Sequence, residues 1–367
     1  MKFSLVAVLV THTIASVSCA TVPSSPRCKD QDGQDVDWFI VYKLPRMQSN
    51  PQNAFTPEGG EFVYVDSRTS QEPLRYWPLS EHDLYEAQNP VALTLAPLYE
   101  NATRKDILYF VYNDQPPPIY NGTRNGHCKG VLLFDDAVGV WLLHSVPRFV
   151  GGLQSGQYSF PDTARENSQM FMCVTFPTPQ VNTIARILRT EYANVYARQV
   201  PQSMQDKYPE VALLAKDSFV RTTDQKLFIA NLTSAGGTVL RAYGKRATLD
   251  EDLYSGVLAN DLKGDLAVQS WRNGAGGKLP PACNSSYTVV NVDSIVLRFD
   301  ADNAVTFNTT EDHSKWAITI DRGVFCFASM NRMESQETRG GEALCFDNGV
   351  VQALFRRSAI INTGCTV

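Results

Sequence analysis

Histidine is scarce in this chain of 367 residues, with five in all, and two of the five are followed by lysine at the second position: His127-Cys128-Lys129 and His313-Ser314-Lys315. On an extended segment, side chains at i and i+2 share a face. His127 therefore points with Lys129, and His313 with Lys315, while Cys128 and Ser314 face away. Two such pairs brought together suit a phosphodiester. One imidazole can attack phosphorus and carry it as a phosphohistidine, and the other, protonated, can give its proton to the leaving oxygen. The lysines can hold the non-bridging oxygens and offset the charge that builds in the transition state. That chemistry calls for no metal and no cofactor.

The surroundings of the two pairs match. Each enters a short apolar run, Gly130–Phe134 or Trp316–Ile320, that ends at Asp135 or Asp321, six residues past the lysine. A second run follows, Val138–Leu143 or Val324–Ala328, leading to Ser145 or Asn331, 16 residues past the lysine. All these correspondences share one offset of 186 residues. A hairpin recurring at a constant offset marks an internal duplication in which each copy supplies half of one site.

Other candidates weigh less. His144, in Trp141-Leu142-Leu143-His144-Ser145, reads equally as a core histidine and as a supporting catalytic residue. His82, in Ser80-Glu81-His82-Asp83, reads as a surface residue. Asp30, Asp32, Asp35 and Asp37 imitate a calcium loop but fail it, because Val41 stands where the bidentate glutamate belongs. The zincin, nucleophile-elbow and P-loop motifs are absent. Trp141, Trp271 and the tyrosines read as core rather than as platforms for stacked bases.

The elements that must position these residues are mostly strands. Trp38–Tyr42, Glu61–Val65, Ile107–Tyr112, Leu266–Trp271, Tyr287–Val292 and Ser294–Phe299 join the four runs above as short β-branched or aromatic stretches bounded by turn residues. Helical periodicity is confined to Val181–Val195, Gln205–Ala215 and Asp250–Asn260. With 43% hydrophobic residues the chain is not disordered, and its length allows two domains or one large duplicated unit. No flexible linker is evident. The expectation is an α/β or α+β fold with large sheets, its halves at 21–200 and 201–367 meeting near residues 195–205.

Residues 1–20 read as a secretory signal peptide, with Lys2 ahead of the apolar Phe3–Val10 and a small-residue exit near Ala20. Five Asn-x-Ser/Thr acceptors, Asn101, Asn121, Asn231, Asn284 and Asn308, fit a lumenal or secreted glycoprotein. Without Cys19 seven cysteines remain, so an oxidising compartment leaves at least one thiol unpaired. The net charge of −5, or −6 once Lys2 leaves, does not by itself announce a nucleic-acid binder.

Longer motifs carry a resemblance. Asp37-Trp38-Phe39-Ile40-Val41-Tyr42-Lys43-Leu44-Pro45, Gly126-His127-Cys128-Lys129-Gly130, Trp141-Leu142-Leu143-His144-Ser145-Val146-Pro147, Glu311-Asp312-His313-Ser314-Lys315-Trp316, Met330-Asn331-Arg332 and Arg339-Gly340-Gly341 resemble the deoxyribonuclease II family from about Cys28 to the C-terminus. The resemblance implies a phospholipase D-like duplicated fold with two halves sharing one pseudo-twofold site. It also implies a metal-independent acid endonuclease, lysosomal or secreted, that cuts DNA to 3′-phosphate ends. His127, Lys129, His313 and Lys315 become the catalytic set, with His144 an additional essential position and Asn331 a ligand of the oxyanion. The family pattern pairs Cys28 with Cys173, Cys283 with Cys365 and Cys326 with Cys345, leaving Cys128 as the odd thiol. The wider superfamily places an aspartate five residues after each lysine. Phe134 and Ile320 stand there in this chain, and Asp135 and Asp321 are one step further on.

Two rivals belong to other classes: a phosphodiesterase of the same fold acting on RNA or lipid, and a secreted DNA-binding relative without catalysis. Intact paired His-x-Lys motifs weigh against the second. With a nucleophilic imidazole neutral and a general-acid imidazole charged, an active enzyme should show a bell-shaped pH profile on the acid side of neutrality.

Overall fold

A computed structural model describes residues 25–50, 55–100, 104–118, 125–221, 225–274, 276–283, 286–362 and 365. The expected signal peptide and the acceptors Asn101, Asn121 and Asn284 lie outside the described residues. Eighteen strands among them form three sheets. The first holds β1 (Trp38–Lys43), β2 (Glu61–Asp66), β3 (Leu79–Asp83), β4 (Leu108–Asn113), β5 (Lys129–Phe134), β6 (Val138–His144), β7 (Gln169–Pro177) and β8 (Val195–Gln199). Their spatial order is β3-β2-β1-β7-β6-β5-β4-β8, antiparallel throughout. The second holds β9 (Leu227–Thr233), β10 (Val239–Lys245), β11 (Leu266–Gln269), β12 (Val289–Asn291), β15 (Trp316–Thr319), β16 (Val324–Ala328) and β17 (Gly341–Asp347) in the order β12-β11-β15-β16-β17-β10-β9. A small third sheet pairs β13 (Ser294–Arg298) with β14 (Ala304–Asn308) and β18 (Ala359–Ile360).

The fold is mixed α+β. Helices are α1 (Pro90–Tyr99), α2 (Gln180–Glu191), α3 (Gln202–Lys207), α4 (Pro209–Ala215), α5 (Ala259–Leu262), α6 (Glu334–Glu337) and α7 (Gly349–Ser358). None is long and apolar enough to cross a membrane. The central strands read as continuous apolar runs because both faces of each large sheet are covered there, whereas the edge strands β3 and β9 are partly exposed and polar. Trp38, Ile40 and Tyr42 of β1, with Leu132 and Phe134 of β5, point into a central core. Trp316, Ile318, Phe325 and Phe327 of the second sheet, Ile184 and Leu188 of α2, and Phe355 of α7 meet them there. The alternate residues Phe39, Val41, Val131 and Leu133 face outward onto Val91, Leu95 and Leu98 of α1. On the far side Ala317, Cys326 and Ala343 pack under Leu253–Leu258, a π-helical turn that runs into α5. Trp316 is fully buried, and truncating it would cost about 3–5 kcal/mol.

Helix boundaries depart from the periodicity for local reasons. α2 stops at Glu191 because Tyr192 takes a left-handed conformation (φ 66°), and Val195 already belongs to β8. The stretch 205–215 is broken in two, since Pro209 forces Tyr208 into an extended conformation. α1 and α7 escaped the reading of spacing, although Asn89 and Asn348 cap their N-termini through side-chain hydrogen bonds. Three disulfides, Cys28–Cys173, Cys283–Cys365 and Cys326–Cys345, follow the pairing that the resemblance implies. Cys128 is free and buried.

Candidate active site

Both His-x-Lys segments lie at strand entrances. Lys129 opens β5 with His127 just ahead of it, and Lys315 immediately precedes β15. The alternation expected from spacing holds: Cys128 joins the central core, and Ser314 lies beneath the site on Tyr42 and Asp312. Each segment is fixed by the other sheet's connections. The His127 N–H donates to the Gly340 carbonyl (2.8 Å), one residue ahead of β17, and the His313 N–H donates to Ser168 (2.9 Å), one residue ahead of β7. A cleft of about 230 Å³ results, lined by His127, Lys129, His313, Lys315 and Asn331. Five of the six catalytic candidates thus line one opening, and His144 is the one that does not.

Further residues shape the cleft. Asp114, just past β4, pairs with Lys129 and also accepts from Arg339 at 3.2 Å. Gln336 Oε1 lies 2.7 Å from His127 Nδ1, and Gln169 Nε2 approaches His313 Nδ1 at 3.5 Å. Ser145 donates to Gln169 Oε1 at 2.6 Å, which holds that amide in place. The Lys315 ammonium donates to the His313 carbonyl at 2.8 Å. Asn331 is nearly buried and its Oδ1 has no hydrogen-bond partner. No spacing rule could have found Gln336 or Gln169, which lie 209 and 144 residues from the histidines they approach, and Asp114 meets Lys129 only through the pairing of β4 with β5.

One expectation changes. Trp271 is not core: it lies two residues past the end of β11, outside the sheet, and stands edge-on to His313 with ring centroids 4.9 Å apart. Asp135 sits at the far end of β5, where its Oδ1 accepts from Ala137 and Val138 N–H (both 2.8 Å) and closes the hairpin. Asp321 is exposed at the equivalent turn. Both are roughly 20 Å along the strand from the lysines, so neither orients an imidazole. His144 is buried outside the cleft, its ring between Phe149 and Phe171, with Nδ1 accepting from Val146 N–H (3.2 Å) and Nε2 without a partner. Asn231 and Asn308 are exposed.

Lys129, Lys315 and Arg339 against Asp114 leave the lining with a surplus of two positive charges when both histidines are neutral. This is a cationic pocket in an acidic protein. Burial and the neighbouring lysines depress both imidazoles, His313 to about 3 and His127 well below its usual range. Burial, with Lys129 nearby, lowers Lys315 to about 7. Burial opposes ionisation of Asp114, but Lys129, His127 and Arg339 outweigh it and hold the carboxylate below its usual range. Such a lining attracts a phosphate anion and repels a divalent cation.

Residues 27–365 match the family model described as Deoxyribonuclease II. The chain belongs to the deoxyribonuclease II family. It is a hydrolase of the deoxyribonuclease II type. It is 36% identical over 322 residues to deoxyribonuclease-2-alpha of Sus scrofa, covering 87% of this chain and 85% of that one. It is 35% identical over 344 residues to plancitoxin-1 of Acanthaster planci, with 92% of each chain covered. Cell-death-related nuclease 7 of Caenorhabditis elegans is 31% identical over 350 residues, covering 95% and 90%.

Proposed function

We propose that the cleft hydrolyses DNA phosphodiester bonds at acid pH, without a metal ion, through a phosphohistidine intermediate. The observation that carries this reading is the meeting of both His-x-Lys pairs, 186 residues apart, around one cationic cleft. One imidazole nitrogen forms a bond to phosphorus as the P–O5′ bond breaks, and the other imidazolium gives its proton to O5′. Water then attacks phosphorus, the second imidazole takes its proton, and the P–N bond breaks to leave a 3′-phosphate. Lys129, Lys315 and the Asn331 amide hold the non-bridging oxygens. His144 acts from behind, where Ser145 links its strand to Gln169.

The same reading makes residues 21–200 and 201–367 two copies of a phospholipase D-like half. The runs β4-β5-β6-β7 and β11-β15-β16-β17 support it, being alike in chain order and antiparallel pairing. In each, a helix follows the fourth strand, α2 after β7 and α7 after β17. The three disulfides fit a lumenal or secreted protein. Delivery by the signal peptide to a lysosome or to the outside, with glycans on the five acceptors, would place the enzyme where engulfed, apoptotic or ingested DNA is degraded. The name of the cell-death-related relative accords with that role.

The test is incubation of the purified protein with plasmid DNA and with RNA at acid pH in EDTA. Cleavage of the plasmid in EDTA, with new 5′ ends that polynucleotide kinase labels without prior phosphatase, is the expected result. Ends that require phosphatase, or cleavage that stops with EDTA, would mean a different reaction. Cleavage of RNA alone would move the reading to the rival substrate.

A further inference from the structure

Behind the His127 strand lies a second set of ionisable groups that the cleft chemistry does not use. Glu191 ends α2 and Glu342 is the second residue of β17; both are fully buried. Their carboxyl oxygens and the Cys128 sulfur lie within 4.8 Å of one another. The Tyr112 hydroxyl accepts from Trp141 Nε1 (2.8 Å) and donates to Glu342 (3.2 Å). No N–H or hydroxyl donor bonds either oxygen of Glu191, which faces the Glu342 carboxyl and the Cys128 thiol. Two carboxylates at this spacing and burial cannot both be ionised, and the C-terminal end of α2 adds its own repulsion to a charge on Glu191.

The other groups facing the pair do not relieve it. Lys129 is the cation that favours an ionised Glu342, but its ammonium is bound to Asp114. Arg246 lines a cavity of about 250 Å³ beside Glu191, with its guanidinium 5.7 Å from the centre of the Tyr192 ring. A metal ion would need a thiolate as well as two carboxylates, and burial pushes the Cys128 thiol far up. A proton satisfies the cluster with no further group.

The cluster also sits where three backbones touch. A Cβ on Gly126 would lie 2.2 Å from the Glu191 carbonyl oxygen, and one on Gly340 would lie 2.1 Å from it. The Gly126 N–H donates to the Tyr192 carbonyl at 3.0 Å, and the His127 N–H to Gly340. We propose that Glu191 and Glu342 share a proton, and that this pair is an acid-dependent positioning device for His127 and Lys129. Protonated, it lets α2, residues 126–129 and β17 close on one another. Deprotonated, two like charges push those segments apart and move the His-x-Lys strand out of register.

Burial raises both carboxyls, Glu342 to about 8. An acid whose folded-state pKa is raised contributes stability at low pH and loses it as pH rises from its ordinary range of about 4.3 towards the raised value. The effect on catalysis rests on the proposed cleft chemistry, whereas the effect on stability does not. Glutamine is the neutral isostere, so Glu191→Gln and Glu342→Gln are the variants, measured for melting temperature and DNA cleavage from pH 4 to 9. The wild-type melting temperature should fall by roughly 5 °C or more between pH 5 and 8, and each variant should flatten that fall. The pH 5 rate should stay within about twofold of wild type, while the residual rate near pH 8, where the wild-type pair loses its proton, should rise at least about threefold in each variant. An unmoved pH 8 rate together with an unmoved melting profile overturns the proposal. If neither variant folds, the wild-type infrared spectrum decides: a protonated buried carboxyl band persisting at pH 7 supports the pair, and its absence overturns it. A stoichiometric bound metal in the purified protein would overturn it too. Should the protein cleave no DNA at all, the melting profiles still test the pair while the cleft reading fails on its own.

Discussion

Gln336 Oε1 stands 2.7 Å from Nδ1 of His127, 209 residues away in sequence. An amide oxygen can only accept, so it holds the proton of the neutral imidazole on Nδ1 and leaves the Nε2 lone pair free. Gln336 is therefore a positioning residue for His127. Gln336→Ala should lower the single-turnover rate by roughly 10- to 100-fold through misalignment of the ring, with little change in DNA affinity. Gln336→Glu, which can accept from the same nitrogen, should recover much of the loss and move the pH profile upward. Wild-type turnover in the alanine variant would remove the role.

The paired histidines are not interchangeable in the proposed reaction. His127→Ala and His313→Ala should each reduce cleavage by at least about a thousandfold, because loss of either nucleophile or acid stops the sequence. Both rings border an open cleft, so circular dichroism and the melting temperature should change little. A folded single variant with near wild-type turnover would refute a site built from both halves.

Asp114 holds Lys129 and Arg339 together at almost complete burial. Asp114→Asn leaves the buried Lys129 ammonium without its counter-charge and should cost about 3–5 kcal/mol of stability near neutral pH. Its folded-state pKa is depressed, so the wild-type contribution is full above the ordinary carboxylate range and is lost progressively below it, as pH falls towards the depressed value. The stability difference between wild type and variant should therefore shrink below about pH 4. A difference that does not vary with pH would show that the loss comes from packing rather than charge.

Much of this site was legible in the sequence because its chemistry rests on a spacing rule. His-x-Lys on a strand puts both side chains on one face, and a constant offset ties the two hairpins together. The strand runs 61–65, 138–143 and 324–328 were plain for a related reason: both faces are buried, so they stand out as unbroken apolar stretches. What stayed hidden was set by tertiary contact. The first strand of the second sheet, Leu227–Thr233, is half exposed and polar, and gave no such run. Trp271 looks like any core tryptophan until the end of β11 is known. Gln336 is an ordinary residue whose role exists only because distant chain segments meet, and Asp114 gains its place from strand pairing and from Arg339, 225 residues away.

Among the described residues one cysteine thiol is free, Cys128, and it is 1% exposed. Native protein should react with a thiol probe slowly, and denatured, non-reduced protein should take up one equivalent at this position. Mass mapping that found Cys128 in an intramolecular disulfide would overturn the pairing.

The pH dependence now has a sharper form than two ordinary imidazoles would give. In the free protein both histidines are depressed by burial and by cations, His313 to about 3. At mildly acid pH the general acid is then mostly uncharged until substrate arrives. A bound phosphodiester puts negative charge beside Lys129 and Lys315, offsets the cations that depress the rings, and raises their pKa. The profile of kcat/KM reports the free enzyme and that of kcat reports the complex. Both should be bell-shaped on the acid side of neutrality, with the alkaline limb of kcat lying at higher pH than that of kcat/KM. A nucleophilic imidazole must stay neutral, so both rates should fall again in stronger acid. Steady-state measurement on one defined oligonucleotide across pH 3 to 8, in EDTA, separates the two limbs. Coincident limbs would mean that substrate charge does not set the protonation of the acid, and that another group controls the profile.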